Sequence, residues 1–205
     1  MFKIEKVESG ENKTIKSSKY DLYSYTAYAG KHEIIVEEGD SLWNVSLTHG
    51  SVIRGDGIRK HNIDGMGIVI RGYRCEEKMS SFDTGSNLPY VNGCSSNQIF
   101  SPVRPGDPTM QLLYLPAFTQ EQAHHIHSTV RAVLVIQGSG QSIQGMNSDT
   151  IVDLNVGDVL IMDKMTPHHF KTFESDLTVI PVHIFSSTVL EYNHPMKNGT
   201  FVVTE

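Results

Sequence analysis

His124-His125-Ile126-His127, answered further along by Pro167-His168-His169, is the stretch from which this chain is best read. Side chains on a β-strand alternate faces, so His125, His127, Thr129 and Arg131 share one face and His124, Ile126 and Ser128 the other. Val133 and Val135 continue the first face as an apolar layer below the histidines. A third histidine from a neighbouring strand would complete one side of a metal's coordination sphere, and imidazole is a common ligand for zinc, copper, iron and nickel. Thr166, preceding Pro167, is biased to extended geometry. On a regular strand His168 and His169 cannot both face inward, and alternation alone leaves the choice open.

Around these histidines the sequence is rich in short β-runs. Residues 20–29, 32–36, 42–47, 67–70, 110–115, 130–137, 151–154, 159–162 and 177–185 carry β-branched or aromatic residues bounded by Gly, Asp, Asn or Pro. Helical periodicity is scarce, with one turn expected over 119–123. Gly138-Ser139-Gly140 reads as a hairpin between two apolar runs, and Gly157-Asp158 as the entrance to another strand. Residues 75–108 are the least regular and read as a lid or a linker between two β units. The expected division is therefore an N-terminal β-rich region over 1–100 and a C-terminal barrel over 101–205. Many short strands separated by turns point to an all-β sandwich or barrel.

Composition narrows the partners. The 205 residues carry 17 Lys and Arg against 23 Asp and Glu, a formal charge of −6. No dense basic patch is visible, so no nucleic-acid partner is expected. No uncharged apolar run reaches the ~18 residues of a membrane helix, and Met1 to Lys6 begins no apolar leader, so no membrane partner is expected. Cys75 and Cys94 are the only cysteines, read as two free thiols in a reducing, cytoplasmic setting. His32, His49 and His61 lack ligand spacing, and the lone Trp43 reads as core or subunit interface.

Beyond this the chain resembles the cupin superfamily. The first cupin motif, G-x5-H-x-H-x3,4-E-x6-G, meets His125, His127, Arg131 and Gly138; the second, G-x5-P-x-G-x2-H-x3-N, meets Gly157, Asp163, Met165, His168 and Thr172. Thr119 stands at the first glycine, Asp163 at the proline and Met165 at the second-motif glycine. Arg131 replaces the glutamate that commonly serves as fourth ligand. The resemblance implies an all-β cupin, a jelly-roll-like double-stranded barrel, with an N-terminal β-rich extension that has the size of a degenerate second cupin. It selects His168 over His169, so the implied metal set is His125, His127 and His168. Cupin relatives often dimerise, so a homodimer is the default.

Arg131 shapes the expected chemistry. A guanidinium cannot ligate a metal and would repel one close by, so Arg131 either holds an anionic substrate in its bidentate fork or is neutralised by an acidic neighbour. Three-histidine cupins without the glutamate include dioxygenases that use ferrous iron, so the resemblance implies a divalent metal, with Fe(II) favoured over Zn, Ni or Mn. The leading expectation is a metal-dependent oxygenase acting on a small anionic metabolite. His183 is a further candidate acid or base, while Gln111, Tyr114 and Gln144 are candidate pocket residues. His124 and His169 are expected to face outward or to support the ligands. Two rivals stand beside the oxygenase: a metal-free isomerase or epimerase of a nucleotide-linked sugar, and a non-catalytic metabolite-binding module.

Overall fold

A computed structural model describes residues 4–15, 23–82, 88–89, 91–121 and 123–184. The first half contains β1 (Ile4–Val7), β2 (Asn12–Ile15), β3 (Tyr25–Val36), β4 (Ser41–Val45), β5 (His49–Arg54), β6 (Arg59–Ile70) and β7 (Lys78–Ser81). There follow β8 (Leu88–Pro89), β9 (Ser95–Phe100), β10 (Thr109–Leu115), β11 (Val130–Gln144), β12 (Thr150–Asn155), β13 (Val159–Met162), β14 (His168–Lys171) and β15 (Leu177–Ile184). All pairings are antiparallel. One sheet has the order β1-β13-β11-β15-β10-β9-β8, with β12 and β14 also joined to β11; the other runs β2-β3-β6-β4-β5-β7. No α-helix occurs among the described residues, so none is long and apolar enough to cross a membrane.

The run Val130-Arg131-Ala132-Val133-Leu134-Val135 is buried at every position rather than alternately. Such a pattern belongs to a strand covered on both faces. Val130, Ala132 and Leu134 share an apolar cluster with Trp43, Val45, Ile68 and Ile70 of the six-stranded sheet. Val133 and Val135 belong to a second cluster with Leu160, Met162, Leu177 and Val179, which fills the barrel. The N-terminal sheet thus packs on the outside of the barrel wall, and the barrel keeps its own interior. Each fully buried large side chain here contributes about 1.5–3 kcal/mol. Trp43 is core, tilted against Tyr73 and edge-on to Phe100.

Several local expectations change. Gly138-Ser139-Gly140 is a bend inside β11, not a hairpin: upstream β11 pairs with β13 and β15, downstream with β12 and β14. Gly138 has φ +73, and a Cβ there would lie 1.8 Å from the Asp176 carbonyl oxygen, so only glycine lets the strand pass from its β13 and β15 partners to its β12 and β14 partners. The runs expected over 20–29 and 32–36 belong to one strand, β3, with 20–22 outside the described residues. The segment expected to be a lid or linker holds β9, which pairs with β10; its polar residues suit a sheet margin. Residues 119–121 are extended rather than helical, because Gln120 bridges to Lys171 in β14; Gln122 lies outside the described residues. β1 pairs with β13, so segments on both sides of residue 100 build the histidine-bearing sheet.

Candidate metal centre

The segment before β11 runs antiparallel to β14. His125 N donates to the His168 carbonyl (3.1 Å), and His168 N donates back to that of His125 (2.9 Å). Met165 N reaches the His127 carbonyl at 2.7 Å. This ladder sets His125 and His168 opposite each other, with ring centroids 4.6 Å apart. A slip of one residue would turn His124 and His169 inward instead. Met165 occupies the position of the motif glycine and keeps a left-handed backbone, φ 60, so the turn survives the loss of glycine.

One nitrogen from each of His125, His127 and His168 lies within 4.8 Å of the others, the only such group of three metal-ligating residues among the described residues. A backbone carbonyl only accepts, which fixes two tautomers: His125 Nδ1–H donates to the Ala123 carbonyl (3.1 Å) and His168 Nδ1–H to that of Thr166 (2.6 Å). Both rings therefore keep the Nε2 lone pair free for a ligand. His127 Nε2 is 2.9 Å from His125 Nε2. Burial pushes His125 down to about 4, with Arg131 adding to it; burial and then Arg131 push His127 to about 2 and His168 well below its usual range. All three rings are held neutral, the form that binds metals. The donor set thus fits a divalent ion.

Arg131 is buried, 6% exposed, on the inner face opposite His183 and Met162. Its Nη2 is 2.5 Å from His168 Nε2 and 3.4 Å from Nδ1. Two such short distances place the guanidinium nitrogen over the ring face rather than in line with the lone pair. Arg131 Nε has no partner. The acidic neighbour is Glu121, also 6% exposed, whose Oε2 accepts a 3.4 Å hydrogen bond from Phe170 N. Burial raises the Glu121 carboxyl and Arg131 opposes that rise; burial lowers Arg131 to about 10, and Glu121 opposes that fall. Burial, then Glu121, also pushes the Cys94 thiol up to about 11.

His183 faces the same interior: its ring is 5.9 Å from that of His127, and Nδ1 is 3.1 Å from Thr129 Oγ1. Burial and then Arg131 lower it to about 3. On the opposite face His124 and His169 form a pair, Nδ1 to Nδ1 2.9 Å, and His124 Nε2 donates to the Gly145 carbonyl at 2.6 Å. They therefore tie together the two segments that carry the ligands. Of the candidate pocket residues, Gln144 is buried and stands opposite His168 in the β11–β14 register, whereas Gln111 and Tyr114 lie elsewhere. Gln144 accepts from Ile4 N (3.0 Å), Gln111 pairs with Gln98 at the surface, and Tyr114 packs toward the outer cluster. Cys75 and Cys94 are both free.

Sequence reasoning missed Glu121 as the buried carboxyl that acts on Arg131 through space. A signal was available: Glu121 has the parity of His125 and His127, so extended geometry puts it on their face. Thr172, where the motif has asparagine, accepts from Thr119 N (2.8 Å) and donates to the Pro116 carbonyl (2.6 Å). It fixes the start of the segment that leads to the histidines.

No family model and no curated protein matches the chain. Among solved structures it is similar to a cupin 2 conserved barrel domain protein from Leptotrichia buccalis, at 13% identity and TM-score 0.48, over 87% of this chain and 91% of that one. It is also similar to a cupin 2 conserved barrel domain protein from Rhodopseudomonas palustris, at 22% identity and TM-score 0.40, over 49% of this chain and 66% of that one. A third is the DMSP lyase DddQ from Ruegeria pomeroyi, at 14% identity and TM-score 0.40, over 44% and 46% of the two chains. The chain thus spans less than two thirds of the length of the last two. Strand pairing and histidine register, rather than these alignments, define an all-antiparallel β fold whose C-terminal half carries a three-histidine cluster, with arginine rather than a carboxylate at position 131.

Proposed function

We propose that the chain is a metal-dependent cupin enzyme of the three-histidine type, acting on a small anionic metabolite, with oxygenation as the reaction class. The observation that carries this reading is the convergence of three neutral imidazoles, two of them with Nδ1–H tied to backbone carbonyls. His125, His127 and His168 would hold the ion, Fe(II) first among the candidates. A bound divalent ion supplies Lewis acidity and open coordination positions for substrate and co-substrate. Arg131, buried with an unpartnered Nε, would receive the substrate's carboxylate or phosphate. His183 would hold or move a proton at its imidazole. The apolar layer of Val133, Leu160 and Met162 excludes water from beneath.

The test is metal analysis of gently purified protein, followed by oxygen-uptake assays on the Fe(II)-loaded protein across a panel of small carboxylates and phosphates. Stoichiometric metal that is lost in His125→Ala, with substrate-dependent oxygen uptake, supports the proposal; metal-loaded protein without turnover across the panel sinks the oxygenase. The contact between Arg131 and His168 favours a second reading, a metal-free isomerase or epimerase of a nucleotide-linked sugar, in which a neutral histidine takes the proton and Arg131 balances the developing charge. Turnover of such a sugar by metal-free protein would establish it. A metabolite held tightly and returned unchanged would instead mark a binding module. A homodimer in the cytoplasm belongs to the same proposal, and light scattering checks its size.

A further inference from the structure

We infer that Arg131 is the gate on metal loading: its guanidinium and the metal exclude one another at His168, and Glu121 is the seat that receives the guanidinium when the metal enters. The inference rests on the metal-dependent reading above and concerns what controls occupancy of the same three histidines.

Charge at short range sets the exclusion. Because His168 Nδ1–H is committed to the Thr166 carbonyl, Nε2 is the nitrogen left to ligate. A first-row divalent ion sits about 2.1 Å from an imidazole nitrogen. Arg131 Nη2 is 2.5 Å from that same Nε2. Whatever the direction of the lone pair, the ion would then lie within about 4.6 Å of a guanidinium nitrogen. Three neutral imidazoles do nothing to offset a divalent cation beside a monovalent one, and the guanidinium, being buried, is poorly screened by solvent. Either the metal stays out or Arg131 moves.

Arg131 has somewhere to go. Its Nε is buried without a partner, so its present position leaves hydrogen-bonding capacity unused. Glu121 is equally buried, acts on Arg131 through space, and receives only one long hydrogen bond, from Phe170 N at 3.4 Å. No direct ion pair between the two occurs among the described residues. Rotation of the guanidinium from the His168 ring to the Glu121 carboxylate would satisfy both groups and clear the face of Nε2. No proton or covalent bond is exchanged in the step. It also couples two ligands: an anion that draws Arg131 off His168 favours the metal, and by linkage the metal favours the anion.

The test is titration of full-length, chelator-treated protein with Co(II) alone, read by visible absorption and calorimetry, with circular dichroism to confirm folding. Arg131→Met is expected to bind Co(II) at least tenfold more tightly than wild type, and Glu121→Gln at least threefold more weakly, because the guanidinium then lacks its second seat. If Arg131→Met does not fold, Glu121→Gln/Arg131→Met removes both buried charges and is also expected to bind more tightly than wild type. A merely structural Arg131 would give weaker binding in every variant. Equal or weaker binding by folded Arg131→Met or by the double variant overturns the gate while leaving the metal site standing. Failure of wild type and all variants to bind Co(II) overturns the metal-dependent reading and the gate with it.

Discussion

Acid lability offers a quantitative test of how the barrel interior treats its histidines. His183 is part-buried beside Arg131 and is held at about 3, against 6.5 for a free imidazole, by burial first and Arg131 second. A folded-state value below the unfolded one means that the unfolded chain takes up the proton first as pH falls. Stability contributed by neutral His183 is therefore complete above about pH 6.5 and is lost progressively as pH falls toward about 3. Between pH 8 and pH 5 the linkage relation gives a loss of about 2 kcal/mol from this one group, a ceiling because the ring retains some solvent contact. With a urea m-value of about 2 kcal/mol/M, the unfolding midpoint should drop by roughly 1 M from this source. The assay is urea unfolding of chelator-treated wild type and His183→Asn at pH 8 and pH 5. Asparagine keeps a polar atom near Thr129 but does not titrate. Wild type is expected to lose more stability than the variant by about 2 kcal/mol. Equal losses would refute the claim that the interior holds His183 neutral.

Three further outcomes follow from single contacts. Gly138→Ala should destabilise the fold by about 3 kcal/mol or more, since the new methyl meets the Asp176 carbonyl at 1.8 Å and the backbone needs φ +73; thermal unfolding reads it, and a change within 1 kcal/mol would show that the bend is soft. Thr172→Val should cost about 1–3 kcal/mol by orphaning Thr119 N and the Pro116 carbonyl, measured as a shift in denaturation midpoint. His169→Ala breaks the pair with His124 outside the barrel and should cost about 1 kcal/mol in stability while weakening Co(II) binding several-fold. Unchanged Co(II) affinity would leave that pair a structural contact without influence on the three-histidine cluster.

How much of the site was legible depends on the range of the interaction. Alternation along an extended chain is enforced by each residue's own backbone, so His125, His127, Arg131, Val133 and Val135 fall on one face however the rest folds. The choice between His168 and His169 already needs a partner strand: the hydrogen bonds between His125 and His168 lock the register, and one slipped residue would reverse it. Gly138 announced a positive φ but not its use. A hairpin and a bend inside a long strand make the same local demand, and only the approach of Asp176 from a distant turn distinguishes them.

The sequence by itself determined an all-β chain, the inward pair His125 and His127, and the unusual cation at position 131. These follow from the period-two geometry of a strand and from side-chain chemistry, which act over a few residues. Tertiary structure decided that β11 is covered on both faces by two different apolar layers, that His168 completes the cluster, and that Arg131 and Glu121 are both buried away from solvent. Those outcomes depend on which surfaces meet, and burial sets the energies: the same guanidinium in water would be a screened surface charge, whereas buried beside His168 its charge is felt by all three imidazoles.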